Sequence, residues 1–147
     1  MKISNAVRAI ALCFCLALIN QLAHAQAIAP MRRATVRIGG WALTDNNKIV
    51  KNFDYKGSCP VKLKFAWGVL ATEPTEIKYH FERSDGATAP AGKKNLPKAN
   101  TSEDVIETWD LGANNDATFK AFKGWEELVI DSPNKVSQKI NFTMHCK

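Results

Sequence analysis

Cysteine and histidine are scarce in this chain, and its apolar runs are short. The 147 residues include four cysteines and three histidines, and no two cysteines have the CxxC spacing. Thiolate and imidazole metal centres need such ligands in closely spaced groups, and redox pairs commonly use CxxC. The sequence therefore predicts neither a metal nor a cofactor.

The one long apolar stretch, Ile10 to Leu18, follows the basic residues Lys2 and Arg8. It is shorter than the roughly 20 apolar residues that a membrane-spanning helix needs. Ala23-His24-Ala25 follows it with the small-x-small pattern of a signal-peptidase site. The pattern predicts export to the periplasm or the medium, with no membrane span in the processed protein.

Cleavage near Ala25 divides the chain into three parts. These are a signal peptide (1–25), a flexible tail (26–33) and a single domain (34–147). The domain keeps only Cys59 and Cys146, and an isolated pair in an oxidising compartment is most simply a disulfide. We therefore predict a disulfide between these two residues.

Period-two alternation of apolar and polar residues dominates the predicted domain. It is clearest in three runs and weaker in three more, and one short edge strand is expected between two prolines. The runs are Val61–Val69, Ile77–Phe81 and Ile140–Cys146, then Thr35–Leu43, Val105–Leu111 and Trp125–Ile130, with Lys93–Leu96 at the edge. The pattern predicts an all-β, antiparallel β-sandwich of about seven strands with one disulfide.

Several short motifs recur in a fixed order through this region. They are Tyr55-x-Gly57-x-Cys59-Pro60, Tyr79-x-Phe81-x-Arg83-Ser84-Asp85-Gly86-Ala87, Thr108-Trp109-x-Leu111-Gly112, Gly124-Trp125, Ser132-Pro133 and Phe142-x-Met144-x-Cys146. Together they resemble a group of small secreted bacterial immunoglobulin-like domains of uncharacterised function. The resemblance implies an immunoglobulin-like strand order and no particular activity.

Outward positions of the predicted strands supply candidate partner residues. Alternation places Lys62, Lys64, Lys78 and His80 on outer faces, and Trp41 follows two glycines near an edge. A tryptophan beside lysines suits a sugar ring or an apolar anchor of a protein partner. Lysines at such positions also block aggregation of sheet edges. The remaining tryptophans, Trp67, Trp109 and Trp125, are predicted to pack in the core.

Acid–base chemistry has few candidates in this sequence. His80 and His145 are predicted to face outward, and either could act with a nearby carboxylate in a small hydrolase or a metal-dependent enzyme. Glu126 and Glu127 are adjacent in a predicted strand, so they point to opposite faces and cannot act as a pair. No catalytic serine motif accompanies either histidine, and the cysteine that follows His145 is assigned to the predicted disulfide.

The leading functional hypothesis is a non-catalytic, exported binding or adhesion-type module. Lys and Arg outnumber Asp and Glu by 20 to 14, and a mild positive charge favours anionic envelope polymers. We expect a protein or polysaccharide partner in the envelope or outside the cell. Nucleic acid is not expected, because no basic–aromatic pattern accompanies the export signal. The alternatives are the secreted enzyme above and a structural component of an envelope assembly.

Overall fold

Alternating apolar and polar residues build the strands, and the strands form two sheets. The computed structural model describes residues 32–89, 91–112 and 121–147. The predicted signal peptide and most of the predicted tail lie outside these residues. The strands are β1 (Val36–Asp45), β2 (Lys48–Ile49), β3 (Asp54–Gly57), β4 (Val61–Ala71), β5 (Thr75–Arg83), β6 (Gly92–Leu96), β7 (Glu103–Leu111), β8 (Phe122–Ser132) and β9 (Val136–Cys146), and a 3₁₀ turn (Lys51–Phe53) precedes β3.

The first sheet has the strand order β2-β1-β4-β7, and the second has the order β3-β9-β8-β5-β6. Every neighbouring pair is antiparallel except β3 and β9, which are parallel. The predicted β-sandwich is therefore confirmed, with one parallel pair that the sequence did not reveal. Two further strands, β2 and β3, were not predicted, because each is only two to four residues long.

Aromatic side chains from both sheets meet in the core. Phe65 of β4 contacts Phe142 of β9 edge-on, with ring centroids 5.3 Å apart. Trp67 is fully buried, and its ring lies 5.4 Å from that of Phe81 in the other sheet. Its indole Nε1 donates a hydrogen bond to the Gln138 carbonyl oxygen at 3.0 Å. This bond satisfies a polar group that would otherwise be buried without a partner.

The predicted disulfide between Cys59 and Cys146 is present, with an S–S distance of 2.0 Å. Cys59 lies just before β4 of the first sheet, and Cys146 ends β9 of the second sheet. Next to the bond, Gly57 of β3 pairs with Cys146, and the Lys147 backbone N–H donates to the Gly57 carbonyl oxygen at 2.8 Å. The bond and this pairing together tie the end of β9 to the approach to β4.

Candidate functional site

The candidate partner residues predicted from the sequence lie on two opposite faces. Lys62 and Lys64 point outward from β4 in the first sheet, where both alternate with buried residues. Lys78 and His80 point outward from β5 in the second sheet. Because the two sheets pack face to face, these four residues do not form one surface. A single partner would contact one pair or the other.

Trp41 occupies the margin of the sandwich. It pairs in register with the buried Trp67, so it shares the inward side of the first sheet. Strand β2 pairs with β1 at Thr44 and Asp45, so among the described residues no strand lies beside Trp41 on that edge of β1. The side chain is 44% exposed, in keeping with its predicted place near an edge.

His80 is held between two carboxylates on the outer face of the second sheet. Its Nδ1 lies 2.8 Å from Asp131 Oδ2, and its Nε2 lies 3.5 Å from Glu82 Oε1. The hydrogen bond with Asp131, helped by the charge of Glu82, raises the pKa of His80 above its usual value. The second predicted histidine, His145, lies 3.2 Å from Asp54 through Nε2. Within the described residues, no serine, threonine or cysteine is hydrogen-bonded to either imidazole.

We expect Asp131→Asn to lower the pKa of His80 toward 6.5, because the substitution removes the charge behind its strongest hydrogen bond. Glu82→Gln should lower it less, since its carboxylate lies farther from the ring. Titration of the imidazole C–H resonances by NMR measures both changes. A larger effect from Glu82→Gln than from Asp131→Asn would contradict this geometry.

Glu126 is the least expected residue of the interior. It points inward from β8, is fully buried, and is the one buried charged side chain among the described residues. Neither of its carboxylate oxygens has a hydrogen-bond partner there. Burial is the main cause that raises its pKa to about 8, and the nearby Glu107 carboxylate adds to it. Glu126 is therefore a neutral acid at pH 7.

Arg83 lies beside Glu126, but its guanidinium contacts Asp85 and Trp109 instead of the Glu126 carboxylate. The two residues are cross-strand neighbours on β5 and β8. The Arg83 guanidinium makes two hydrogen bonds to Asp85, at 2.8 and 3.2 Å, and lies 4.4 Å from the centre of the Trp109 ring. These contacts direct the guanidinium toward the turn after β5. Glu126 has no exposed surface, so it cannot reach a substrate in this arrangement.

Trp125 lies on the outer face of the second sheet, and the prediction that it packs in the core is wrong. It is half-buried, while its neighbours Gly124 and Glu126 point inward. The Lys139 ammonium lies 3.7 Å from the centre of its ring and 3.2 Å from Glu127 Oε2. A cation held by a carboxylate over one ring face fixes the ring in place.

An open groove of about 370 Å³ runs beside Trp125. Its lining combines the indole with amide, hydroxyl and ammonium groups. The lining residues are Asn52, Phe53, Lys123, Gly124, Trp125, Asn141, Phe142 and Thr143. Lys139 is not among them. In the pairing of β8 with β9, Lys123 lies opposite Thr143 on one side of Trp125, and Lys139 lies opposite Glu127 on the other side.

The 3₁₀ turn supplies one wall of this groove in an unusual backbone conformation. Asn52 and Phe53 have φ values of 53° and 54°. Asparagine tolerates the left-handed region, but a phenylalanine there is uncommon, and such residues concentrate at functional sites. Phe53 packs against the core, which holds the turn against the end of the second sheet.

Comparison with known proteins finds no family model and no curated protein that matches this chain. Within the part of the chain that the structure describes, no group of three or more His, Cys, Asp or Glu side chains is placed to hold a metal. No helix among those residues has the length and apolarity needed to cross a bilayer. The groove beside Trp125 is the feature on which the functional proposal below rests.

Proposed function

We propose that this protein is an exported, non-catalytic module that binds a polysaccharide of the cell envelope or the surrounding medium. The observation that carries the proposal is the Trp125 groove on the outer face of the second sheet. A flat indole packs against the C–H face of a sugar ring, and hydroxyl groups of the sugar need amide and hydroxyl partners beside it. Asn52, Asn141 and Thr143 are such partners.

The shape of the groove favours a chain of sugars over a small buried ligand. It is open along the sheet surface rather than enclosed, so a polymer bound in it can continue beyond it. Lys123 lies in the groove, and Lys139 lies over the indole. Glu127 already pairs with the Lys139 ammonium, so it is mainly the Lys123 ammonium that favours an acidic polysaccharide over a neutral one.

We expect Trp125→Ala to weaken polysaccharide binding by about tenfold or more, which corresponds to about 1.4 kcal/mol. The full-length chain is expressed in a bacterial host, and the form that the host exports is titrated with alginate, with dextran and with peptidoglycan sacculi. Tryptophan fluorescence reports binding to the soluble polymers, and sedimentation reports binding to sacculi. The expected order of affinity places alginate above dextran.

The matched control is Trp41→Ala, which removes an exposed tryptophan from a different margin of the sandwich. It should leave the affinity unchanged. Equal losses in the two variants, or no binding to any of the three polymers by the folded protein, would overturn the proposal.

A further inference from the structure

Two sheet edges lie at one margin of the sandwich. Strand β7 is the last strand of the first sheet, and β6 is the last strand of the second. Residues 97–102 link the two strands directly, so the two edges lie close together. Among the described residues each strand pairs on one side only. The backbone N–H and C=O groups on the other side are available to a further strand.

The two edges carry opposite charge. Strand β7 has four acidic residues, Glu103, Asp104, Glu107 and Asp110, and no basic residue. Strand β6 has Lys93 and Lys94 in five residues, and no acid. Pairing of β7 with a second β7 would bring acids against acids, which is destabilising. Pairing of β7 with β6 of another molecule would bring acids against lysines.

The strand directions also suit this pairing. Strand β4 passes to β5 through the short turn 72–74 into the other sheet, so these two strands run in opposite directions. Strand β7 is antiparallel to β4, and β6 is antiparallel to β5. Strands β6 and β7 therefore run in opposite directions, and edge pairing between two molecules would be antiparallel.

We propose that two copies of this chain associate through this margin, with β7 of each copy pairing with β6 of the other. A two-fold axis parallel to the strands exchanges the positions of the two sheets and preserves strand direction. The first sheet of each copy then continues into the second sheet of the other copy. The interface repeats itself about the axis and closes at two copies.

The two-fold axis fixes the register, because it leaves the height of each strand along the axis unchanged. Glu103 and Lys94 are inward positions on their strands, and neither has an ion-pair partner among the described residues. Each of them pairs with a residue two positions from the end of β4 or β5 at the turn 72–74, so the two lie at the same height. The axis therefore sets Glu103 opposite Lys94 of the other copy on the inward face, and Asp104 opposite Lys93 on the outer face.

The symmetry of this interface gives a sharp test. Lys94→Glu places two glutamates opposite each other at both contacts, and Glu103→Lys places two lysines there. We expect each variant alone to raise the dimer dissociation constant by about tenfold or more. An equal mixture of the two variants restores an opposite-charge pair at both contacts, so dimers should return in the mixture.

The measurement is sedimentation equilibrium of the exported protein over a range of concentrations and at two salt concentrations. The matched control is Lys48→Glu, which makes the same charge change on β2, at the opposite edge of the first sheet. It should dimerise as the unchanged protein does. A monomer at every concentration, growth beyond two copies, or a mixture that stays monomeric would each overturn the proposal. Circular dichroism confirms that every variant is folded.

Discussion

Replacing Cys59 and Cys146 together with serine should lower the free energy of unfolding by about 4.6 kcal/mol, the value that the chain-entropy model gives for a loop of this length. The two residues are 87 positions apart, so the bond restricts the unfolded chain over most of the domain. In the folded state, it joins the approach to one sheet with the end of the other. Urea denaturation of the oxidised protein and of the double variant measures the difference.

Chemical reduction supplies the control for this prediction. The unchanged protein under a reducing agent should lose nearly as much stability as the Cys59→Ser/Cys146→Ser variant. The variant itself should not respond to the reducing agent. A double variant as stable as the oxidised protein would show that pairing between β3 and β9 alone holds the end of β9.

Replacing Glu126 with glutamine should stabilise the protein by about 3 kcal/mol at pH 7, at about 1.36 kcal/mol for each unit of pKa shift. The pKa of Glu126 is raised from 4.5 to about 8 in the folded state. At pH 7 the unfolded chain therefore releases a proton that the folded chain retains, and this favours unfolding. Glutamine matches the shape of the neutral acid, and its amide does not ionise in this pH range.

The sign of the pH dependence follows from the same shift. Below pH 4.5 Glu126 is protonated in both the folded and the unfolded state, so its ionisation does not lower the free energy of unfolding. As the pH rises from 4.5 to about 8, the unfolded state binds fewer protons than the folded state, and stability falls. The stability difference between Glu126→Gln and the unchanged protein should therefore grow across this interval and level off above it.

Glu127→Gln is the matched control, because it removes a carboxylate from the next position of β8 on the outer face. Urea denaturation of the three proteins at several pH values between 4 and 9 gives the comparison. A difference that grows equally with pH in both variants would contradict the assignment of this effect to the buried residue.

Strands with an unambiguous apolar face were predictable from the sequence. In β4 and β9 every inward position from Val61 to Val69 and from Ile140 to Met144 is apolar and buried. A shift of one residue would bury lysines or asparagine, so only one register is stable. The same logic located β5, whereas the disulfide was predictable because Cys59 and Cys146 are the only two cysteines of the predicted domain.

The sequence predicted β8 as a strand, but placing Trp125 in the core put the wrong face inward at the start of the strand. Its two faces near Trp125 are almost equally suitable for a core, since one offers a tryptophan and a glutamate and the other a glycine and a glutamate. Local pattern does not decide between them. The inward face is decided by the long apolar residues farther along, Leu128 and Ile130, which are fully buried. The groove and the buried acid were both missed for this one reason.

The grouping of the lysines was not predictable, because alternation shows which residues face outward but not which sheet carries them. Strands β4 and β5 are consecutive in sequence and belong to different sheets. Lys64 and Lys78 therefore lie on opposite sides of the molecule. Only the cross-strand pairing of the folded protein separates them.

The bond between Cys59 and Cys146 also sets an order of events during synthesis. Proteins are made at about 5–20 residues per second, so the 87 positions between the two cysteines take roughly 4–17 s to appear. During that interval Cys146 does not yet exist to pair with Cys59, and β3 lacks β9, the strand with which it pairs among the described residues. An early oxidant would find Cys59 without its proper partner. Correct oxidation must therefore wait until the final strand has emerged, and a cell that exports this chain needs to keep the first cysteine unreacted until then.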